Sequence, residues 1–247
     1  MMANRYFSRY NLTPEEGKRT LARISVKSHH NGSLHPKAHL RREVSLEDVV
    51  KAPIVAWPLG LYDCCGVSDG SAAAIVCRAD WAKKFRDNPV YVKALQIAIS
   101  SGEEIQYTDY DMAHVETTTR AAARAYKEAG INNAREEISM AEVHDCFSIT
   151  ETVTMEDLQF SPRGHAREDI ESGFFDLDGG LPVQPDGGLK CFGHPIGASG
   201  LRMVYEMYTQ LQGRAGERQI KDPKFGLTHN LGGVPHGNVC SIAIVGK

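Results

Sequence analysis

The sequence predicts a layered α/β fold, and three observations carry that prediction. Strand-like and helix-like segments alternate from Pro89 onward, turn clusters rich in glycine separate them, and 42% of the 247 residues are hydrophobic, enough for a sizeable core. In chain order, Thr13 as N-cap, Pro14 at the first helical position and Glu15 and Glu16 in the first turn start a helix. From His29 to about Pro58, turn residues alternate with short apolar pieces, which predicts an irregular lobe. Ser71 to Arg78 (SAAAIVCR) predicts a strand buried on both faces, with Gly70 before it permitting close backbone approach. Next come a strand (VYVKALQIAIS), a helix from about Met112 to Ala129, a strand (ISMAEVHDC) and a helical stretch (ITETVTMEDLQF). The loop GGLPVQPDGGLKCFGHPIGASG leads into a helix whose apolar positions Leu201, Val204, Tyr205, Tyr208 and Leu211 recur at helical spacing. Two closing strands, around KFGLTHNL and GNVCSIAIVG, flank the turn GGVPHG.

Composition narrows the function classes. At 24% charged and 8% aromatic, the chain is neither disordered, collagenous nor a coiled coil. No apolar run reaches the roughly 18 to 20 residues of a spanning helix, and the opening MMANRYFSRYNL has no apolar signal core, so a cytoplasmic location is expected. Six cysteines, Cys64 and Cys65 adjacent and none in C-x-x-C spacing, suggest reduced thiols and neither a disulfide framework nor a zinc or other metal site. Residues 1–60 hold ten Lys/Arg against five Asp/Glu, and the remainder 18 against 26, a split of +5 and −8. Such a basic stretch, with His29, His30, His35 and His39, suits a phosphate-bearing ligand or is a solvated face. Nucleic acid is disfavoured, since aromatics are not interleaved with the charges and the net charge is −3.

Three polar clusters fall at strand and helix ends. His144, Asp145 and Cys146 close a buried-looking strand, where a histidine and a thiol two residues apart can both carry protons; a hydrogen-bonded histidine beside a buried cysteine has the same pattern. Gly193-His194-Pro195-Ile196-Gly197-Ala198-Ser199-Gly200 stands before the amphipathic helix. There, glycines admit close backbone approach, the helix N-terminus favours negative charge, and a histidine could donate to an oxyanion. His229-Asn230-Leu231-Gly232-Gly233, in the last turn region, says little by itself.

Taken in order, HDCF, GGLKCFGHPIGASG and HNLGG resemble the thiolase superfamily, specifically the sterol-carrier-protein-type and archaeal-type thiolases. LYDCCGVSDGSAAAIV resembles the segment that leaves that family's loop domain and enters the last strand of the N-terminal half, and KSHHNGSLHPKAH resembles the loop domain. The resemblance covers essentially the whole chain. It implies part of a loop domain over residues 1–64, the last strand region of the N-terminal half over 65–88, and a complete C-terminal thiolase domain over 89–247. None of Cys64, Cys65, Cys77, Cys191 and Cys240 matches the motif of the acyl-accepting cysteine, which the family carries before its loop domain. The first half is then a separate polypeptide, or lost or cut away, or the chain is not a working thiolase by itself.

The chemistry so implied is Claisen condensation of two acyl-CoA molecules, or thiolytic cleavage of a 3-ketoacyl-CoA in lipid metabolism such as β-oxidation, with a coenzyme A thioester as substrate and no covalently bound cofactor. By position, His194 matches the histidine that serves the nucleophile and its oxyanion environment, and His144 stands where most thiolases place an asparagine that helps bind the second acyl oxygen. Cys146 resembles the acid/base thiol, because His229-Asn230-Leu231-Gly232 replaces the C-x-G motif that supplies it in commoner members. Gly193, Gly232, Gly233, His229 and Asn230 are expected in the oxyanion and backbone environment, and Cys65, Gly66 and Ser199 along the pantetheine arm. A polar cleft around Cys146 is expected to favour its thiolate. Expected partners are CoA or acyl-CoA, the N-terminal half, further copies in a homo- or hetero-oligomer, and, for a retro-aldolase of the same branch, a small zinc-ribbon/OB-fold protein. A non-catalytic CoA-binding or assembly subunit is the reading from another class.

Overall fold

The structure is a computed structural model and describes residues 1–102, 110–234 and 237–247. Two helices open it, α1 (Met2–Arg9) and α2 (Pro14–Ser33), the second beginning where the sequence places it. Thr13 Oγ1 accepts from Glu16 N at 3.2 Å and Glu16 Oε2 accepts from Thr13 N at 2.8 Å, a reciprocal cap that satisfies two otherwise orphaned amides. Because α2 runs on to Ser33, His29 and His30 are helical and do not belong to an irregular lobe. His29 is buried with Nδ1 2.9 Å from Arg42 O, and His35 is buried 3.7 Å from Glu206. After them come a short helix α3 (Leu46–Lys51) and a small hairpin of β1 (Ile54–Ala56) and β2 (Leu59–Gly60).

Residues 71–78 correct the sequence reading. They form no strand; they have no regular structure and are almost wholly exposed, Ile75 at 101% and Val76 at 82%, and lead into a single helical turn, α4 (Ala79–Ala82). The composition suits a strand buried on both faces, but a strand also needs a neighbour for its N–H and C=O groups, and no described strand lies alongside this one.

The body of the chain is a four-stranded sheet, β3 (Tyr91–Ile99), β4 (Met140–Glu142), β5 (Phe225–Val234) and β6 (Gly237–Gly246), in the order β3-β6-β5-β4. β6 is antiparallel to both β3 and β5, while β4 runs parallel to β5. The β5–β6 turn residues Pro235 and His236 of the GGVPHG string lie outside the described residues. Helix α5 (Glu116–Ala129) covers one face, its alanines Ala121, Ala122 and Ala125 meeting Ala94, Ala98, Cys240, Ile242 and Ile244 in the main core. α5 starts four residues later than expected because Met112 takes a left-handed φ of 57°. Between β3 and the C-terminal hairpin also come α6 (Ala134–Glu137), α7 (Ser148–Asp157), α8 (Ala166–Ser172) and α9 (Gly188–Phe192). Residues 1–24 share a core with this body: Tyr6, Phe7 and Leu21 pack with Val115, Ile149 and Val153.

Helix α10 (Ile196–Leu211) lies on the other face of the sheet, over β4 and β5. The helix is where the sequence puts it, but its buried face is Met203, Met207 and Leu211, packed on Met140, Ile220 and Val245. Glu206 and Gln210 are buried beside them because Arg218 pairs with Glu206, and Gln210 donates to Arg218 O at 2.8 Å and accepts from Ile220 N at 2.9 Å. Of the expected apolar stripe only Leu211 is buried; Leu201 and Tyr205 are exposed and Val204 and Tyr208 half-buried. On β3 the residues opposite α5 behave alike: Leu95, Ile97 and Ile99 are exposed.

Candidate active site

The first cluster sits where β4 ends. The C-terminal end of a parallel strand is where open α/β sheets meet ligands, and Val143 to Cys146 follow Glu142 directly. Gln184 clamps this exit: Oε1 accepts from Val143 N at 3.1 Å and Nε2 donates to Val143 O at 2.6 Å. Asp145 is buried; its carboxylate accepts from Leu189 N at 2.7 Å and Lys190 N at 3.4 Å. It thereby ties the first cluster to α9, which leads into the second. The buried Lys190 ammonium donates to Asp63 O at 3.1 Å and Asp145 O at 3.5 Å, joining the same loop to the segment before Cys64.

The second cluster follows α9. Gly193 has φ +71°, and a Cβ there would stand 2.3 Å from Ser68 Oγ, so only glycine lets this turn lie against residues 66–68. His194 comes two residues before α10 begins, with its ring Nδ1 2.8 Å from Ser199 Oγ. Ser199 Oγ also donates to Pro195 O at 3.2 Å; in that state it can only accept from His194 Nδ1–H, which leaves Nε2 as the free acceptor. Ser199 is buried, its hydroxyl held between the His194 ring and Pro195 O and not exposed to an open path.

His144 and His194, fifty residues apart, meet edge to face with ring centroids 5.1 Å apart. Burial lowers both imidazoles, His144 to about 4 with Asp145 pulling the other way and the His194 ring adding to the depression. Both rings are neutral at pH 7. Cys146 is half-buried, its Sγ 3.8 Å from Thr150 Oγ1 in the first turn of α7. The expected thiolate-favouring cleft is not what surrounds it: burial pushes the thiol up to about 11, against a smaller opposing pull from Thr150. It rests as a thiol.

Cys65 and Gly66 join these two clusters. Cys65 N donates to Cys146 O at 2.9 Å and His194 N donates to Gly66 O at 3.0 Å, while Ser68 Oγ donates to Phe192 O at 3.1 Å. One extended segment is thus laid across both loops.

The third cluster is split. His229 is fully buried; His144 N donates to its Nδ1 at 3.4 Å and its Nε2 lies 3.0 Å from Thr118 Oγ1. Both ring nitrogens are engaged and burial drives its pKa to about 3, so it supports the His144 backbone and is not open to a substrate. Asn230 lies against Gly200, at the start of the second turn of α10. Gly232 and Gly233 are exposed, roughly 10 Å further along β5 than His229. They line a cavity of about 660 Å³ with residues 99–102 and 237–239. No contact joins them to the imidazole pair among the described residues. Sequence reasoning gave no role to Asp145, Gln184 and Lys190, although all three stand inside the quoted strings. A buried charge in a motif is a signal of positioning that residue-by-residue reading passes over.

The sheet carries helices on both faces, and two histidine-bearing loops meet at the end of one of its strands. The chain belongs to the thiolase C-terminal domain-like family, which matches residues 100–244. It is 42% identical over 233 residues, 94% of its length, to an acetyl-CoA acetyltransferase of Methanothermobacter thermautotrophicus, covering 59% of that protein. It is 40% identical to the acetyl-CoA acetyltransferase of Methanocaldococcus jannaschii, covering 97% of this chain and 61% of the relative. The chain thus spans about three-fifths of the length of these curated relatives. The fold matches the solved Ltp2-ChsH2(DUF35) aldolase with a TM-score of 0.83 at 23% identity, over 100% of this chain and 62% of that one.

Proposed function

We propose that this chain supplies the proton-transfer and oxyanion side of an acyl-CoA thiolase centre, acting with an acyl-accepting cysteine outside these 247 residues. The observation that carries the reading is the meeting of His144, His194 and the Cys65–Gly66 segment, which is itself bonded to Cys146. In the thiolytic direction, an external cysteine thiolate attacks the 3-keto carbon of a 3-ketoacyl-CoA and the Cα–Cβ bond breaks. The electron pair passes to an acetyl-CoA enolate, and the Cys146 thiol gives its proton to the enolate carbon. A thiol held protonated by burial suits that donation. A neutral His144 ring N–H can donate to the thioester oxygen and keeps its proton better than an imidazolium would, while His194 Nε2, a free acceptor, can take the proton of the external cysteine thiol. Coenzyme A then attacks the acyl-cysteine and releases the shortened acyl-CoA. Condensation runs these steps backwards.

Residues 1–64 belong, in this reading, to a loop domain that receives the nucleotide end of coenzyme A, with exposed Lys37, His39, Arg41 and Arg42 offering donors for phosphates. The exposed segment 71–78 and the bare faces of β3 and α10 are where the remaining part of a thiolase would pack. In the assembled enzyme, Cys146→Ser is expected to lower kcat by about 10²–10⁴-fold with CoA affinity nearly unchanged. A variant that loses affinity but keeps its turnover at saturation would make Cys146 a binding residue.

One observation favours a second reading. The five thiols whose titration the fold moves, Cys64, Cys65, Cys146, Cys191 and Cys240, are all moved upward, so none is an activated nucleophile in this chain. A retro-aldolase acting on CoA thioesters with a DUF35-type partner needs no acyl-cysteine. Trapping an acyl-enzyme separates the two.

A further inference from the structure

Cys64 faces Phe147 in an isolated antiparallel bridge, and Cys65 N donates to Cys146 O at 2.9 Å. This register sets Cys65 directly opposite Cys146, at the hydrogen-bonded position of the pair, where the structure shows one of the two bonds, Cys65 N to Cys146 O. Directly opposed residues project to the same face and stand about 5.5 Å apart at Cα, inside the roughly 4.4–6.8 Å that a disulfide spans. Their Cβ separation of about 4.5–5.5 Å exceeds a disulfide's 3.5–4.5 Å, so closure needs a shift of about 1 Å. Cys65 can supply it, because residues 65–70 form no regular strand or helix and are tied to the two loops only at separate points, by the Cys65 N–Cys146 O, His194 N–Gly66 O and Ser68 Oγ–Phe192 O bonds among those the structure shows.

The other thiols are placed differently. Cys64 Sγ bonds Gly60 O at 3.5 Å, Cys191 Sγ bonds Ser28 O at 3.3 Å, Cys240 is buried on the α5 face of β6, and Cys77 is exposed on the 71–78 segment.

We propose that Cys65 and Cys146 are a disulfide-forming pair, oxidised by a low-molecular-weight disulfide such as glutathione disulfide. The Cys65 thiol, losing its proton to solvent, attacks one glutathione sulfur and releases a first glutathione. Cys146, losing its proton, attacks the Cys65 sulfur of the mixed disulfide and releases the second. Two protein thiols are oxidised and one glutathione disulfide is reduced to two glutathiones. The inference stands on backbone register and not on the function proposed above. Where that function holds, oxidation withdraws the proton-carrying thiol and pins residues 64–70 across the site.

The test is to treat the full chain with excess glutathione disulfide, block remaining thiols with N-ethylmaleimide and digest with trypsin without reduction. Cys64, Cys65 and Cys77 share the fragment 52–78, so the decisive sample is the double variant Cys64→Ser/Cys77→Ser. It should give fragment 52–78 joined to fragment 136–163, two hydrogens lighter than the sum, released by dithiothreitol and absent in Cys65→Ser. Fragmentation of the linked wild-type pair reads the same bond without any substitution. A double variant carrying only separate glutathione adducts on Cys65 and Cys146, or a link to fragment 136–163 that survives Cys65→Ser, overturns the proposal.

Discussion

At the residue scale, the imidazole pair depends on side chains that never meet a substrate. Asp145 accepts from two amides at the start of α9, and Gly188 leaves room for its carboxylate, since a Cβ there would lie 2.4 Å from Oδ2. Asp145→Ala should cost about 2–3 kcal/mol in urea unfolding, and Asp145→Asn, which keeps an acceptor, distinctly less. Equal losses would show that the carboxylate charge and not its acceptor geometry matters. Histidine titration gives a second test. The folded pKa of His229 is about 3 and that of His144 about 4, below the ordinary 6.5 or so. With folded values depressed, the unfolded chain takes up protons first, so each histidine's contribution is fully present above about pH 6.5. It is lost as pH falls toward 4 and 3, by up to about 1.4 kcal/mol per pH unit. Burial raises Asp157 to about 6, a change of the opposite sign, so the difference between the wild type and His229→Gln is the measurable quantity. Stability measured from pH 7 to 4 should show the wild type losing ground to the variant; a pH-independent difference would mean that His229 is not held neutral.

At the element scale, regular units were legible in the sequence and their partners were not. The capping box of α2 and the strands of the C-terminal hairpin follow from local pattern, because caps and alternation are fixed within a few residues. The face of α10 did not follow, because Leu201 and Tyr205 look like core until Arg218 and Ile220 are known to satisfy Glu206 and Gln210. His144 and His194 were legible as clusters, whereas the engagement of His229 was not, since Thr118 lies more than a hundred residues away in the chain. The 71–78 segment shows the same limit from the other side: its composition is that of a strand, but pairing is a property of two segments. Limited trypsin digestion of the chain should cut first at Arg78, Lys83, Lys84 or Arg86, in or beside this exposed stretch. Initial cleavage inside residues 116–172 would mean that the segment is covered.

At the scale of the whole molecule, large apolar side chains stand exposed on β3, on α10 and on residues 67–76, and apolar side chains gathered in this way mark surfaces that other parts of an assembly cover. Replacing Leu95 and Ile97 by threonine should leave unfolding of the chain within about 0.5 kcal/mol of wild type, because neither side chain is packed. The same change should weaken assembly with the rest of the enzyme, read by sedimentation; unchanged assembly would place the interface elsewhere. The most direct measurement of the proposed function is to isolate the native assembly, expose it to isotope-labelled acetyl-CoA, and locate the labelled acyl thioester by mass spectrometry. The label is expected on a cysteine outside these 247 residues, with Cys146 unmodified. An acyl group on Cys146 or Cys65 would contradict the division of labour proposed for this chain, and aldol cleavage without any acyl-cysteine would replace the thiolase reading with the aldolase one.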